Sequence, residues 1–418
     1  MPVVRTGKVG DALEIAGPIC MGQSQPWTDV AAAPRGSDLA NRSSTPVRVR
    51  LFGWLAVLVA GCALLACGPS DKVPHAEDRV LNLYSWAEYF PDSVIRKFET
   101  ETGIKVNYSV FDSNDVAETT LSAGQSGFDL VTINASPHLG RQIPKGLWRP
   151  LDKSKLHNLG NVDTKLLQML GRVDPGNRYA IPYMWGTTGL IYNPDKIHSL
   201  MRDAPVSSLA MILRPELAAR FKSCGISVLD SWVDMLPIIS GYLGQPDLSA
   251  EPAALGAVVQ TFARVRSSIR RVTSSGYYDQ VARGELCLSI GYSADAMVAK
   301  RRAAELGNGM RVEYSQPDET VQVYIDAYAI PATARHVDAA LRFIDFTLRA
   351  DIGAEIARST GFAIANSAAI DRLEPDLRNN HIIYPPPEVR ERFTLGRGYG
   401  MEETRMFSRT WLRMKTGQ

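Results

Sequence analysis

The sequence predicts an α/β protein of two lobes with a cleft between them. Three observations lead there: strand–helix–strand patterns that repeat early in the body, the stretch "YAIPYMWGTTGLIYNPDKI" after which the pattern restarts, and strands that pass between the halves. The chain has 418 residues, room for two domains of roughly 150 to 200 residues each.

In the first lobe, residues 80–85 alternate as a strand. "PDSVIRKFETETG" follows with Val94, Ile95 and Phe98 at helical spacing, a Pro-Asp start and a stop at Gly103. "IKVNYSVF" is the next strand, which makes a β-α-β unit with a right-handed crossover. A second round has "NDVAETTLSAG" as helix and "FDLVTI" as an apolar strand. Ligands of open parallel sheets bind beyond the carboxyl ends of the strands. Trp86 and Glu88 lie past the first strand, and Asn134 and Ser136 past "FDLVTI", so these four are expected on one rim.

The second lobe is predicted from "GISVLD", a strand running into the helix "SWVDMLPIISGYLG", and from "LCLSIGY", a strand running into "SADAMVAKRRAAELG". Asp234 and Asp295 fall in the first turns of these helices. Two readings of them are open: a carboxylate that caps free N–H groups, or one that faces a ligand. Farther on, "VQVYIDAYAIP" carries Asp326 between Tyr324 and Tyr328, all on one side by alternation. A buried carboxylate needs a partner. A neighbouring tyrosine hydroxyl or a ligand would serve. Boundaries are expected at 80–184 plus 323–380 for lobe 1 and 185–322 plus 381–418 for lobe 2.

Ahead of the body, "VRVRLFGWLAVLVAGCALLACGPSDK" reads as an export signal, with Arg48 and Arg50 before an uncharged stretch that is short for a membrane span. An uncleaved anchor helix is the other reading. Residues 1–67 are therefore expected to be a leader and 68–79 a tether. The leader holds six basic and four acidic residues, leaving 40 of each in the remainder. A neutral body lacks the basic footprint of a nucleic-acid reader. Outside the leader only Cys224 and Cys287 remain. They sit near the starts of two second-lobe strands, as one disulfide in an oxidising compartment or as two buried thiols. Six scattered His without C-x-x-C or H-E-x-x-H point to no metal site, and no cofactor is expected.

Taken in order from about residue 81 to the C-terminus, "YSWAEYF", "ETGIKV", "VFDSN", "SGFDLV", "LDKSKL", "IPYMWGTTG", "KSCG", "IYPP" and "FSRTWLRMK" resemble the polyamine-binding proteins of bacterial ABC importers, above all the putrescine-binding branch. The resemblance implies the two-lobed type II periplasmic binding protein fold, with hinge crossover strands and a cleft that closes on its ligand. It implies an aromatic box of Trp86, Tyr292, Tyr324 and Phe362, and acids at Glu88, Asp234, Asp295 and Asp326, with Asn134 beside them. It further implies a disulfide between Cys224 and Cys287, and "LLAC" resembles a lipobox whose lipidated cysteine is Cys67. The expected partners are a polyamine such as putrescine or spermidine, an inner-membrane ABC permease and the membrane holding the lipid. A periplasmic, monomeric protein without nucleic-acid binding follows. Ala87, Glu88, Asn134, Asp234, Tyr292, Tyr324 and Phe362 depart from the family's usual residues, which leaves the preferred amine open.

The residue types suit this task. A protonated polyamine needs an anion for each ammonium and a nonpolar wall for its methylenes. Rings cover the chain and add cation–π attraction of about 0.5 to 2 kcal/mol each. Three other functions compete: a sensor in which the same module docks on a signalling receptor, an enzyme using paired carboxylates such as Asp295 and Asp326, and a relative that has lost amine binding.

Overall fold

The computed structural model describes residues 79–417 apart from Glu88, Gln125 and Pro246. The predicted leader and Cys67 lie outside the described residues, as does the tether up to residue 78.

The first strand, β1 (Val80–Trp86), pairs in parallel with β2 (Lys105–Phe111) on one side and β3 (Leu130–Asn134) on the other. The helix Asp92–Thr102 crosses between β1 and β2 and ends at Gly103, whose φ of 68° is the left-handed conformation that terminates helices. The helix Asn114–Ser122 leads to β3 and starts on Ser113, whose hydroxyl accepts from Val116 N at 3.2 Å. Both β-α-β rounds expected from the sequence are present.

A second parallel set joins β5 (Ile226–Val228) to β6 (Arg271–Val272) and to β7 (Leu288–Tyr292). Two long strands link the sets: β4 (Ala180–Tyr192), with which the short β8 (Glu313–Ser315) pairs, and β9 (Val321–Ala329). They run antiparallel to each other, and the strand order is β2-β1-β3-β9-β4-β7-β5-β6. One end of β4 pairs with β7, while the other end of β9 pairs with β3. The molecule is thus a two-lobed α/β fold with crossing strands at its middle.

Hydrophobic burial follows the two periods of the sequence. Leu81 and Leu83 join one core cluster with Phe98 and Phe343, whereas Tyr84 joins another with Phe111 and Ile133, as alternation along β1 requires. A third cluster gathers Leu190, Phe221, Phe262 and Leu288 with Phe407 and Trp411 of the last helix, Met401–Thr416. Each fully buried large apolar side chain stabilises by about 1.5 to 3 kcal/mol. Ile383 and Leu395 pack with the cluster of Tyr84, so the C-terminal segment touches both halves.

Cys224 and Cys287 form a disulfide with Cα atoms 5.5 Å apart. Cys224 shortly precedes β5 and Cys287 directly precedes β7, two paired strands, so the bridge braces neighbours inside the second lobe.

Candidate functional site

The ends of β1, β3 and β7, the middles of β4 and β9 and the starts of two helices surround a cavity of about 860 Å³. Trp86, Asn134, Asp234, Tyr292, Asp295, Tyr324, Asp326 and Phe362 all line it. Glu88 lies outside the described residues. Ser136 and Ala87 are also on the wall.

Asp326 is placed by strand register. Its Cα pairs with that of Asn134 across β3 and β9, and Asn134 Nδ2 donates to Asp326 Oδ1 at 3.3 Å. Its other oxygen accepts from the Tyr89 hydroxyl at 2.5 Å. The tyrosine partner therefore comes from the loop after β1. Tyr328 belongs elsewhere: it is fully buried, and its hydroxyl donates to Thr347 Oγ1 at 3.0 Å. Alternation put Tyr324, Asp326 and Tyr328 on one side, but that side passes from cleft to core as β9 crosses between the lobes.

Asp234 lies in the first turn of the helix Trp232–Tyr242, and Asp295 in that of the helix Ser293–Leu306. Each accepts from a tyrosine: Asp234 Oδ2 from Tyr292 at 2.8 Å, and Asp295 Oδ2 from Tyr277 at 2.6 Å. Tyr277 is fully buried, and its oxygen also accepts from Tyr292 N at 3.0 Å. Gly291 makes this possible, because a Cβ there would collide with the Tyr277 ring and hydroxyl. Gly186 likewise faces Tyr324 across β4 and β9 and leaves room for that ring.

Burial disfavours the charged form of all three aspartates. It pushes Asp295 and Asp326 up to about 6, against the opposing hydrogen bonds from Tyr277 and from Tyr89 and Asn134. It also raises Asp234, against Ser231, Tyr292 and Thr188. Burial pushes Tyr324 up as well, with both Asp326 and Asp295 adding to it, and Tyr292 feels Asp234 and Asp295. Tyr324 thus shares the field of Asp326 and Asp295, and Tyr292 that of Asp234 and Asp295, so the three acids and two tyrosines form one electrostatic group on the cleft wall. None of the described residues lining the cleft is Lys or Arg. The site is a row of poorly solvated carboxyl groups that hold only neutral partners.

Rings fill the space between. Trp86 packs on Phe111 with centroids 4.6 Å apart, Tyr89 on Phe362 at 5.9 Å, and Tyr292 on Tyr324 at 5.5 Å. Sequence reasoning missed Asp112, Tyr278 and Gln322, all on the wall, and saw in Tyr89 only a ring framing Glu88. Tyr89 had a signal, an aromatic beside Glu88. Its role depends on Asp326, 237 residues away.

A second acidic group stands beside the cleft. Asp115, Glu118 and His138 offer ligand atoms within 4.8 Å of one another. Arg141 Nε donates to Glu118 at 2.7 Å and Lys145 Nζ at 3.1 Å, so cations of the protein already occupy the space a metal would take.

Comparison with known proteins agrees with this fold. Residues 93–382 match the family described as bacterial extracellular solute-binding protein. The putrescine-binding periplasmic protein PotF of Escherichia coli K12 is 39% identical over 367 residues, covering 87% of this chain and 98% of that protein. The putrescine-binding periplasmic protein SpuD of Pseudomonas aeruginosa UCBPP-PA14 is 39% identical over 355 residues, covering 85% and 96%. Among solved structures, the spermidine/putrescine ABC transporter substrate-binding protein PotD of Streptococcus pneumoniae superposes with a TM-score of 0.70 at 24% identity, covering 81% of this chain and 99% of that one.

Proposed function

Because the chain belongs to the bacterial extracellular solute-binding protein family, we propose that it captures a polyamine between its lobes outside the cytoplasm and delivers it to an ABC importer. It is a binding protein, as its relatives are, and not an enzyme. The observation that carries the ligand class is the row Asp326, Asp295 and Asp234, each hydrogen-bonded to a neutral tyrosine hydroxyl in a cleft whose described wall has no Lys or Arg. Such acids lack a cation. An amino acid would want an Arg for its carboxylate, and an anion would meet repulsion here. A protonated polyamine supplies a cation to each acid and methylenes to the rings.

Asn134, Asp234, Asp295 and Asp326 are the polar contacts in this reading, with Glu88 beside the first strand. Trp86, Tyr292, Tyr324 and Phe362 cover the chain. A micromolar complex needs about 8 kcal/mol, within reach of four rings and two to four acids after ordering costs. Capture shifts the protein toward a closed form in which the ligand bridges the lobes, bounded near 80–184 plus 323–380 and 185–322 plus 381–418. A lipid on Cys67 tethers the monomer to a membrane. Labelling with a fatty acid that is abolished by Cys67→Ser supports that attachment, and undiminished label removes it.

Titration calorimetry tests the ligand class. Protein unfolded and refolded to remove carried-over ligand is titrated with putrescine, cadaverine, spermidine and spermine. Saturable binding of at least one at micromolar affinity or better is expected. A folded protein that stays silent across the panel overturns the reading.

A further inference from the structure

The last helix, Met401–Thr416, buries Phe407, Trp411 and Met414 in the second-lobe core and turns a different set outward. Arg405, Arg409, Leu412 and Arg413 are all exposed, and their spacing of three and four residues places them on one stripe. Leu412 is 54% exposed, and Met401 in the first turn 59%. From Thr404 to the C-terminus the sequence has four basic residues and no acidic one. The fourth, Lys415, is held by Asp230. None of the three arginines has a carboxylate partner among the described residues, whereas exposed cations elsewhere do: Lys155 sits on Asp338, Arg172 on Asp247 and Arg311 on Asp195.

The surface continues into a groove of about 410 Å³ between this helix and the helix Pro252–Val265, lined by Leu255, Val259, Met406 and Met414 together with Arg413. That neighbour has no acidic residue between Pro252 and Val265 and exposes Arg264. Cations beside apolar side chains on one outward face are the pattern of a helix that lies on a membrane. The apolar groups reach the acyl boundary, the arginine stems lie along it and their heads meet phosphates. A second copy of the chain would set these cations against each other. An acidic protein is a different occupant, but the anchorage of the chain favours the membrane. With a lipid on Cys67, residues 68–79 hold the body within about 40 Å of the bilayer even when fully extended. An anionic surface is then always in reach, and it needs no matching register of charges.

We propose that the outward face of the last helix, Arg405, Arg409, Leu412 and Arg413, docks the body on a membrane of anionic phospholipids. The lipid holds the protein near the bilayer, and this face sets which side of the second lobe rests on it. The inference rests on the tethered reading above, and its test uses unacylated protein, so that the surface and the lipid on Cys67 fail separately.

All three core clusters lie within residues 79–417, so the protein is used without its leader, beginning at Gly68. It is sedimented with vesicles of phosphatidylcholine alone and of phosphatidylcholine mixed with phosphatidylglycerol. Binding to the mixed vesicles is expected to be tighter by about ten-fold or more, and to vanish in high salt, which screens it. Arg405→Glu, Arg409→Glu and Arg413→Glu together are expected to remove that preference, and Leu412→Ser to weaken binding about threefold, with Tm unchanged in each variant. If the charge reversal does not fold, Arg405→Gln, Arg409→Gln and Arg413→Gln together decide, with the same loss expected. Equal partition onto both kinds of vesicle overturns the proposal. So does a preference for phosphatidylglycerol that survives loss of the three arginines, since the contact then lies on another face. Binding to soluble polyglutamate without a preference for phosphatidylglycerol gives the face to an acidic protein and overturns the membrane.

Discussion

Two acidic clusters lie beside each other in this molecule and are built on opposite principles. In the first, Glu118 is held by Arg141, Lys145 and His138. Burial alone would raise its carboxyl, but these hydrogen bonds and charges outweigh it and hold the group far below the usual carboxylate range. In the second, Asp326, Asp295 and Asp234 receive only phenolic hydroxyls and an amide, and burial raises all three. A carboxylate with its cation built in is a structural tie. One that is raised, wall-facing and served by neutral donors has no cation of the protein's own among the described residues that line the cleft. The presence of acids says little about a site; what decides is whether the protein has already neutralised them.

Exchanging the charge in each cluster should separate the two most strongly. Asp326→Asn is expected to weaken polyamine binding at least a hundred-fold, since truncating one partner of a buried charge pair costs about 2 to 5 kcal/mol, while Tm holds or rises. Glu118→Gln should do the reverse, lowering stability by about 2 kcal/mol with affinity within threefold. The comparison collapses if calorimetry and thermal melts show both variants losing the same property.

Acidity should act next. Asp295 and Asp326 have folded values near 6, above their ordinary 3.8. The folded apo protein therefore holds more protons than the unfolded chain between about pH 4 and 6. Their contribution to stability falls as pH rises through that window and is level above it. The ligand needs them ionised, so affinity runs the other way and should drop by about ten-fold per acid at one unit below their folded values. Glu118 has the opposite sign, because its stabilisation is lost only as pH falls toward its lowered value. Titrations at about pH 5 and 7.5 check the affinity, and an affinity indifferent to pH would count against these acids as ligand contacts.

Smaller effects sharpen the wall. Trp86→Ala is expected to weaken binding about five- to thirty-fold, in line with one lost ring at about 1 to 2 kcal/mol; a change below threefold would take Trp86 out of the site. Tyr277→Phe deletes the hydroxyl that supports Asp295 without touching the cavity wall. A loss of about five-fold is expected from a hydrogen bond worth about 1 kcal/mol, larger at acid pH because Asp295 is then easier to protonate. A loss equal at all pH values would mean general loosening. Cys224→Ser should leave affinity unchanged and lower stability by about 2 to 5 kcal/mol, as its place against the second-lobe core cluster requires. Affinity lost at unchanged Tm would give the disulfide a part in binding.

By itself the sequence determined the elements and much of the site. Period-2 and period-3.6 patterns with local stops such as Gly103 are local signals, so the β-α-β rounds and both second-lobe strand–helix joints were legible. Trp86, Asn134, Asp234 and Asp295 were legible as cleft-lining residues because strand ends and helix starts are where such folds carry ligands, Asp326 through alternation along its strand, and Phe362 through the family resemblance alone. Tertiary structure alone decided what each acid bonds. Asp326 takes Tyr89 from another element rather than a tyrosine of its own strand, and Tyr328 leaves the cleft because β9 changes lobes beneath it. The bond from Gln322 Nε2 to Val233 O was equally invisible, since which backbone carbonyl a buried amide meets depends on the packing. Patterns along the chain report what a residue prefers locally; the charge balance of a cleft is a sum over groups that only folding brings together.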